Sequence, residues 1–209
     1  MRIGIIGAGN VGGTLGTAWS RLGHEVVFAL RNPDDPKSVA LLRGAPNAKG
    51  AATREAAQAS DVLLVATPWE ATQQALADAG DLTGKVVIDA TNPLLPGLAG
   101  LSIGTTTSGA EQVAQWARGA SVVKAFNTVG FNVMENPHFP QGKAVMFYCG
   151  DDSRAKDLVR ELALGLGFDA QDAGPLTQAR ALEPFAYLWI SLAMKYGYSR
   201  DIGFQLLRR

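Results

Sequence analysis

The sequence predicts an α/β fold, an N-terminal doubly wound parallel sheet with a small C-terminal α/β extension. Three observations carry this. The chain opens with strand, glycine turn, helix and strand between Met1 and Asn32. Apolar runs such as Asp61–Ala66, Lys85–Asp89 and Ser121–Ala125 then alternate with helical patterns up to about residue 125, as strands buried on both faces of a parallel sheet do. A shorter strand–helix–strand unit follows from Ala144. The expected division is residues 1–142 and 143–209.

The opening unit is the most informative. Arg2–Ile6 reads as a buried strand, and Leu15, Ala18, Trp19 and Leu22 fall on one face of the helix that follows. Between them lies Gly7-Ala8-Gly9-Asn10-Val11-Gly12, and Glu25–Ala29 returns as the second strand. This is the order of a Rossmann dinucleotide-binding unit. Gly7 permits the tight turn, Gly9 lets a pyrophosphate approach the backbone, and Gly12 lets helix and strand pack closely. The helix start then presents free N–H groups to the phosphates.

The end of the second strand addresses which dinucleotide binds. NAD-binding units place Asp or Glu there to hold the ribose 2′-hydroxyl. This chain has Ala29-Leu30-Arg31-Asn32. Arg31 suits a 2′-phosphate and a stacked adenine, and Lys37 reaches toward the same place. Asp34 and Asp35, between Pro33 and Pro36, are expected to turn away into solvent. NADP is therefore expected over NAD, the alternative being that Arg31 is an ordinary surface charge.

The remaining elements follow in order. Pro36–Arg43 reads as a short helix, Ala45–Ala48 as a weak third strand, and Thr53–Ala59 as a helix. Trp69–Ala79 is helical, with Ala71, Ala75, Leu76 and Ala79 on one side, and Gly109–Ala117 is another helix. Asp151 to Leu164 continues the C-terminal unit as a helix, and Phe168–Ala170 as a strand. The final helix, from Thr177, is apolar nearly all round. Pro184 is expected to kink or restart it. Plain core and a homodimer interface are both open for it.

Composition excludes several functions. With 19 basic and 19 acidic residues the net charge is 0, which gives no field for nucleic acid or an anionic membrane. Cys149 is the single cysteine, so no internal disulfide or cysteine metal cluster forms, and no metal site is expected. No apolar run approaches the ~18 residues of a membrane span. The start runs straight into a strand, so a cytoplasmic location is the expectation.

Ligands of such sheets collect at the carboxyl ends of the strands. Those ends are Gly7-Ala8-Gly9, Thr67-Pro68-Trp69, Ala90-Thr91-Asn92-Pro93 and Ala125-Phe126-Asn127-Thr128, with no carboxylate, histidine or thiol. This suits an uncharged ring. A carbonyl acceptor needs a proton donor, for which Lys124 and Asn127 are weak candidates; Lys124 as a pairing or capping lysine is the alternative. No residue is firmly catalytic. Hydride transfer between two ring cofactors needs no such donor, only stacked and aligned rings.

Lys124-Ala125-Phe126-Asn127-Thr128-Val129-Gly130, Asp172-Ala173-Gly174-Pro175-Leu176, Leu182-Glu183-Pro184 and the closing Arg200–Arg209, with the N-terminal motif and Thr67-Pro68-Trp69-Glu70, resemble the NADPH-dependent deazaflavin (coenzyme F420) reductase family. The resemblance spans essentially the whole chain. It implies NADP(H) and a small-molecule acceptor, a deazaflavin or flavin. Asn10 and Val11 would join the glycines at the pyrophosphate, Arg31 would take the 2′-phosphate, and Thr67, Pro68, Ala125 and Asn127 would line the nicotinamide; Asn32, Lys37, Trp69 and Asn92 are further cofactor-binding candidates. Leu30 stands where the family often has Ser or Thr, which removes one phosphate contact. An NADPH-dependent carbonyl or imine reductase using Lys124, and a non-catalytic NADP-binding module, are the competing readings.

Overall fold

The computed structural model describes all 209 residues. Its first half is β1 (Arg2–Ile6), α1 (Asn10–Arg21), β2 (Glu25–Ala29), α2 (Pro36–Gly44), β3 (Ala48–Ala51), α3 (Thr53–Gln58), β4 (Val62–Val65), α4 (Trp69–Ala79) and β5 (Val86–Asp89). Then come α5 (Gly109–Trp116), β6 (Ser121–Lys124), α6 (Phe131–Glu135), and the short hairpin β7 (His138–Phe139) and β8 (Gly142–Lys143). The chain ends with β9 (Val145–Gly150), α7 (Ser153–Gly165), β10 (Asp169–Asp172) and α8 (Ala179–Lys195).

Eight strands form one sheet in the order β10-β9-β6-β5-β4-β1-β2-β3. The six strands from β3 to β6 are parallel, in the doubly wound order that reverses between β1 and β4. β9 joins β6 antiparallel, Lys124 opposite Cys149, and β10 runs parallel to β9. The expected boundary at 142/143 falls within β8, and the strands to either side of it share one sheet.

Side chains alternate across that sheet. Ile3 and Ile5 of β1 with Leu64 of β4 face a core shared with Trp19 of α1 and Leu162 of α7. Ile6, Leu63 and Val65 face the other way, toward Leu76 of α4 and Val113 of α5. Burial of these strands on both sides explains their uninterrupted apolar runs. The first core links both ends of the chain: Trp19 Nε1 donates to the Leu162 carbonyl at 3.4 Å.

Three local expectations change. β3 lies at Ala48–Ala51, three residues later than expected, because Val26 to Ala29 of β2 take Ala48 to Ala51 as partners. α8 continues through Pro184 without restarting. The stripe on α4 divides: Thr72, Leu76 and Ala79 are buried, whereas Ala71 and Ala75 line a cavity. On α8, Leu188 and Met194 are about half exposed, at 49% and 47%.

Candidate functional site: a dinucleotide cleft

The glycine turn behaves as its spacing requires. Gly7 has φ +99°, and a Cβ there would lie 2.6 Å from the Ala66 carbonyl oxygen of the neighbouring strand end. A Cβ on Gly12 would lie 2.0 Å from the Gly7 oxygen, so α1 can sit this close to β1 only without one. A Cβ on Gly9 would meet nothing within 4 Å. Gly9 thus borders open space, where an approaching group and not the protein sets the limit. Gly9 is also the N-cap of α1, with no side-chain cap and no acid in the first turn. The first amides of α1 are left to an external acceptor, and the helix end favours an anion. These features fit a pyrophosphate.

Two cavities flank this turn at the strand ends, and a third, of about 750 Å³, runs along α1 from Ala8 and Gly9 to Arg21 and Leu22. One, of about 640 Å³, is walled by Gly7, the segment after β2 and one face of α4; Arg31, Asn32, Lys37, Thr67 and Pro68 all line it. The other, of about 480 Å³, has Gly9, Asn10 and Val11 on one side and Trp69 and Asn92 on the other, with Thr67 and Pro68 common to both cavities. Eleven of the fourteen expected cofactor residues therefore lie along one continuous cleft. Gly12, Ala125 and Asn127 do not line it.

Gly12 is packed against β1, and Ala125 is fully buried. Asn127 stands behind Asn92 as a positioning residue. Its Nδ2 donates to Asn92 Oδ1 and to the Leu182 carbonyl, both at 3.2 Å, and Asn92 Nδ2 donates back to the Asn127 carbonyl at 3.1 Å. The chain turns there through Phe126, a buried non-glycine residue at φ +62° whose N–H faces Met146 Sδ at 3.2 Å. That strained backbone is held by packing of Phe126 edge-on to Trp19 and Phe168.

Lys124 is not placed to donate a proton. Its side chain has no exposed surface, and its three N–H bonds are met by Asp89 Oδ2 at 2.9 Å, Glu183 Oε1 at 2.9 Å and the Thr91 carbonyl at 2.6 Å. Burial pushes the ammonium toward neutrality, but the charges of Asp89 and Glu183 outweigh it and leave its pKa raised. Asp89 Oδ1 also accepts from the Thr91 N–H and hydroxyl, and Glu183 accepts from the Gly109 and Ala110 amides at the start of α5. One buried cluster therefore ties β5, β6, α5 and α8 together beneath the strand ends.

Two acids amend the expected inventory. Glu70, in the first turn of α4, lines the second cavity. Asp35 borders the first cavity instead of turning away. Gln74 and Asp78 also line the first cavity, beyond the residues expected from the sequence. The spacing of Ala71, Gln74, Ala75 and Asp78 at i, i+3, i+4 and i+7 was the available signal for a second helix face.

Fold and cleft together define an α/β domain of the dinucleotide-binding class. Comparison with known proteins gives the family. Residues 2–93 match the family described as NADP oxidoreductase, coenzyme F420-dependent. The F420-dependent NADP reductase of Methanothermobacter marburgensis is 30% identical, over 93% of this chain and 93% of that protein. A candidate F420-dependent NADP-reductase from Arthrobacter sp. FB24 superposes with a TM-score of 0.89 at 32% identity, covering 99% of both chains. The Metalloreductase STEAP3 of Rattus norvegicus is 30% identical over 87% of this chain, which spans only 36% of that protein's length. The chain belongs to the coenzyme F420-dependent NADP oxidoreductase family and is an NAD(P)-dependent oxidoreductase.

Proposed function

We propose that this protein transfers hydride between NADP(H) and a planar ring acceptor, a deazaflavin or a flavin. The observation that carries the reading is the second cavity. It adjoins the phosphate-binding turn, its far wall is Trp69, Leu94, Leu95 and Leu98, and its one ionisable side chain is Glu70. Ring-to-ring transfer asks for stacking and alignment against an apolar surface, and this wall supports that requirement.

When bound, the dihydronicotinamide supplies the hydride. The chain's own contribution is positional. The amides of α1 hold the diphosphate, and Arg31 and Lys37 neutralise the 2′-phosphate. Pro68, together with Asn92 held by Asn127, fixes the wall beside the nicotinamide. Lys124 acts below this wall by holding the strand ends in register. With the lysine sealed there, a carbonyl or imine reductase that draws its proton from Lys124 is the weaker reading.

An acceptor screen tests the proposal. Purified protein is mixed with NADPH and with coenzyme F420, FMN or a panel of ketones and imines, and NADPH oxidation is followed by absorbance. The proposal predicts turnover with a deazaflavin or flavin. Turnover with a ketone or imine alone contradicts it. NADPH binding without oxidation by any acceptor identifies a binding module instead.

A further inference from the structure

We infer that Gln74 and Asp78 read the edge of the purine, selecting a 6-amino over a 6-oxo base in the dinucleotide. The inference rests on the dinucleotide reading and goes beyond it by naming the residues that recognise the base.

Position comes first. The glycine turn and the start of α1 fix where the diphosphate lies, and Arg31 marks the ribose on the β2 side of the first cavity. The opposite side of that cavity is a face of α4 made of Ala71, Gln74, Ala75 and Asp78. Trp69 and Glu70, at the start of the same helix, line the second cavity. At 1.5 Å per residue, Asp78 lies ~10 Å along α4 from Ala71, directed away from the nicotinamide end. The base therefore falls between Arg31 and this face. The methyl groups of Ala71 and Ala75 leave room for a flat ring, and Gln74 and Asp78 supply its polar border.

Chemistry comes second. Gln74 Nε2 donates to Asp78 Oδ1 at 2.9 Å. Both side chains are exposed at the rim of the cavity, and this i,i+4 bond holds Asp78 so that its second carboxylate oxygen remains open to solvent or to a ligand. A carboxylate oxygen accepts and cannot donate. Adenine presents an amino donor at C6, which such an oxygen accepts. Hypoxanthine presents a carbonyl oxygen there, which it repels. Asparagine at 78 could donate to that oxygen.

The test is titration calorimetry with NADPH and with reduced nicotinamide hypoxanthine dinucleotide phosphate. Wild-type protein is expected to bind NADPH about tenfold more tightly, the discrimination typical of one good polar contact to a base. Asp78→Asn is expected to bring the two affinities within about threefold, and Arg31→Ala to weaken both while keeping their ratio. Equal binding of the two by wild type, or an unchanged ratio in Asp78→Asn, overturns the inference while leaving the dinucleotide reading intact. Absence of binding by either nucleotide overturns both.

Discussion

Lys124 Nζ lies 2.9 Å from both Asp89 Oδ2 and Glu183 Oε1, and all three side chains are essentially without solvent exposure. The lysine is the only cation of a cluster holding two carboxylates. Removing it leaves both acids buried without their partner, whereas replacing one acid by its amide keeps a hydrogen-bonding oxygen in place. Lys124→Met is predicted to lower unfolding free energy by about 3–5 kcal/mol, and Glu183→Gln by less. Denaturant titration checks both. Since the Lys124 pKa is raised in the folded protein, the stability it contributes is present at neutral pH. It is lost only as pH rises through the raised value, above the usual 10.5.

Gly9 and Gly12 are predicted to fail in different ways. Gly9→Ala places a methyl group in open space, so stability changes by less than about 1 kcal/mol while NADPH binding falls at least about tenfold. Gly12→Ala drives a methyl group onto the Gly7 oxygen and lowers stability as well. Thermal unfolding and calorimetry on the two variants separate these effects. A stable Gly12→Ala that binds NADPH normally contradicts the packing described for this turn.

Acid sensitivity is predicted at the contact between α5 and α8. Arg180 Nε and Nη2 donate to Glu111 at 2.9 and 2.6 Å. That pairing, opposed by burial and aided by Ser108, holds the Glu111 carboxyl below its usual 4.5. A depressed folded-state value contributes stability above the unfolded value and loses it as pH falls through the folded one. The stability gap between wild type and Glu111→Gln should therefore be larger at about pH 6 than at about pH 3, as denaturant unfolding at the two values would show.

Cys149 is predicted to be inert in the folded protein. It is fully buried on β9, and burial pushes its thiol up to about 12. A thiol reagent at mildly alkaline pH should label it only after unfolding. Rapid labelling of the native protein contradicts its placement.

The parts of this molecule that were legible in its sequence are those set by local pattern. The β1–α1–β2 unit is fixed by glycine spacing and apolar periodicity, and Gly7, Gly9, Arg31 and Lys37 line the cleft beside it. What was hidden depends on partners distant in the chain. The apolar run of β9 gives no sign that it pairs antiparallel with β6. Lys124 reads equally well as a proton donor or a pairing residue until Asp89 and Glu183 arrive, from another strand and from the last helix. β3 is only Ala-Lys-Gly-Ala, too weak a signal to place its ends, and its register is set by β2. Gln74 and Asp78 lie on an exposed helix face that also borders a cavity, and a polar helix face carries no signal in the sequence that separates the two.

A 2′-phosphate held beside Arg31, where a carboxylate would mark an NAD site, is the central expectation for this cleft. Calorimetric titration of wild type and Arg31→Ala with NADPH and NADH tests this directly. Wild type is predicted to prefer NADPH, and Arg31→Ala to lose about 10–100-fold in affinity for NADPH with little change for NADH, the range expected for a charge-assisted contact. Tighter binding of NADH by wild type, or an Arg31→Ala variant that keeps full NADPH affinity, would contradict it.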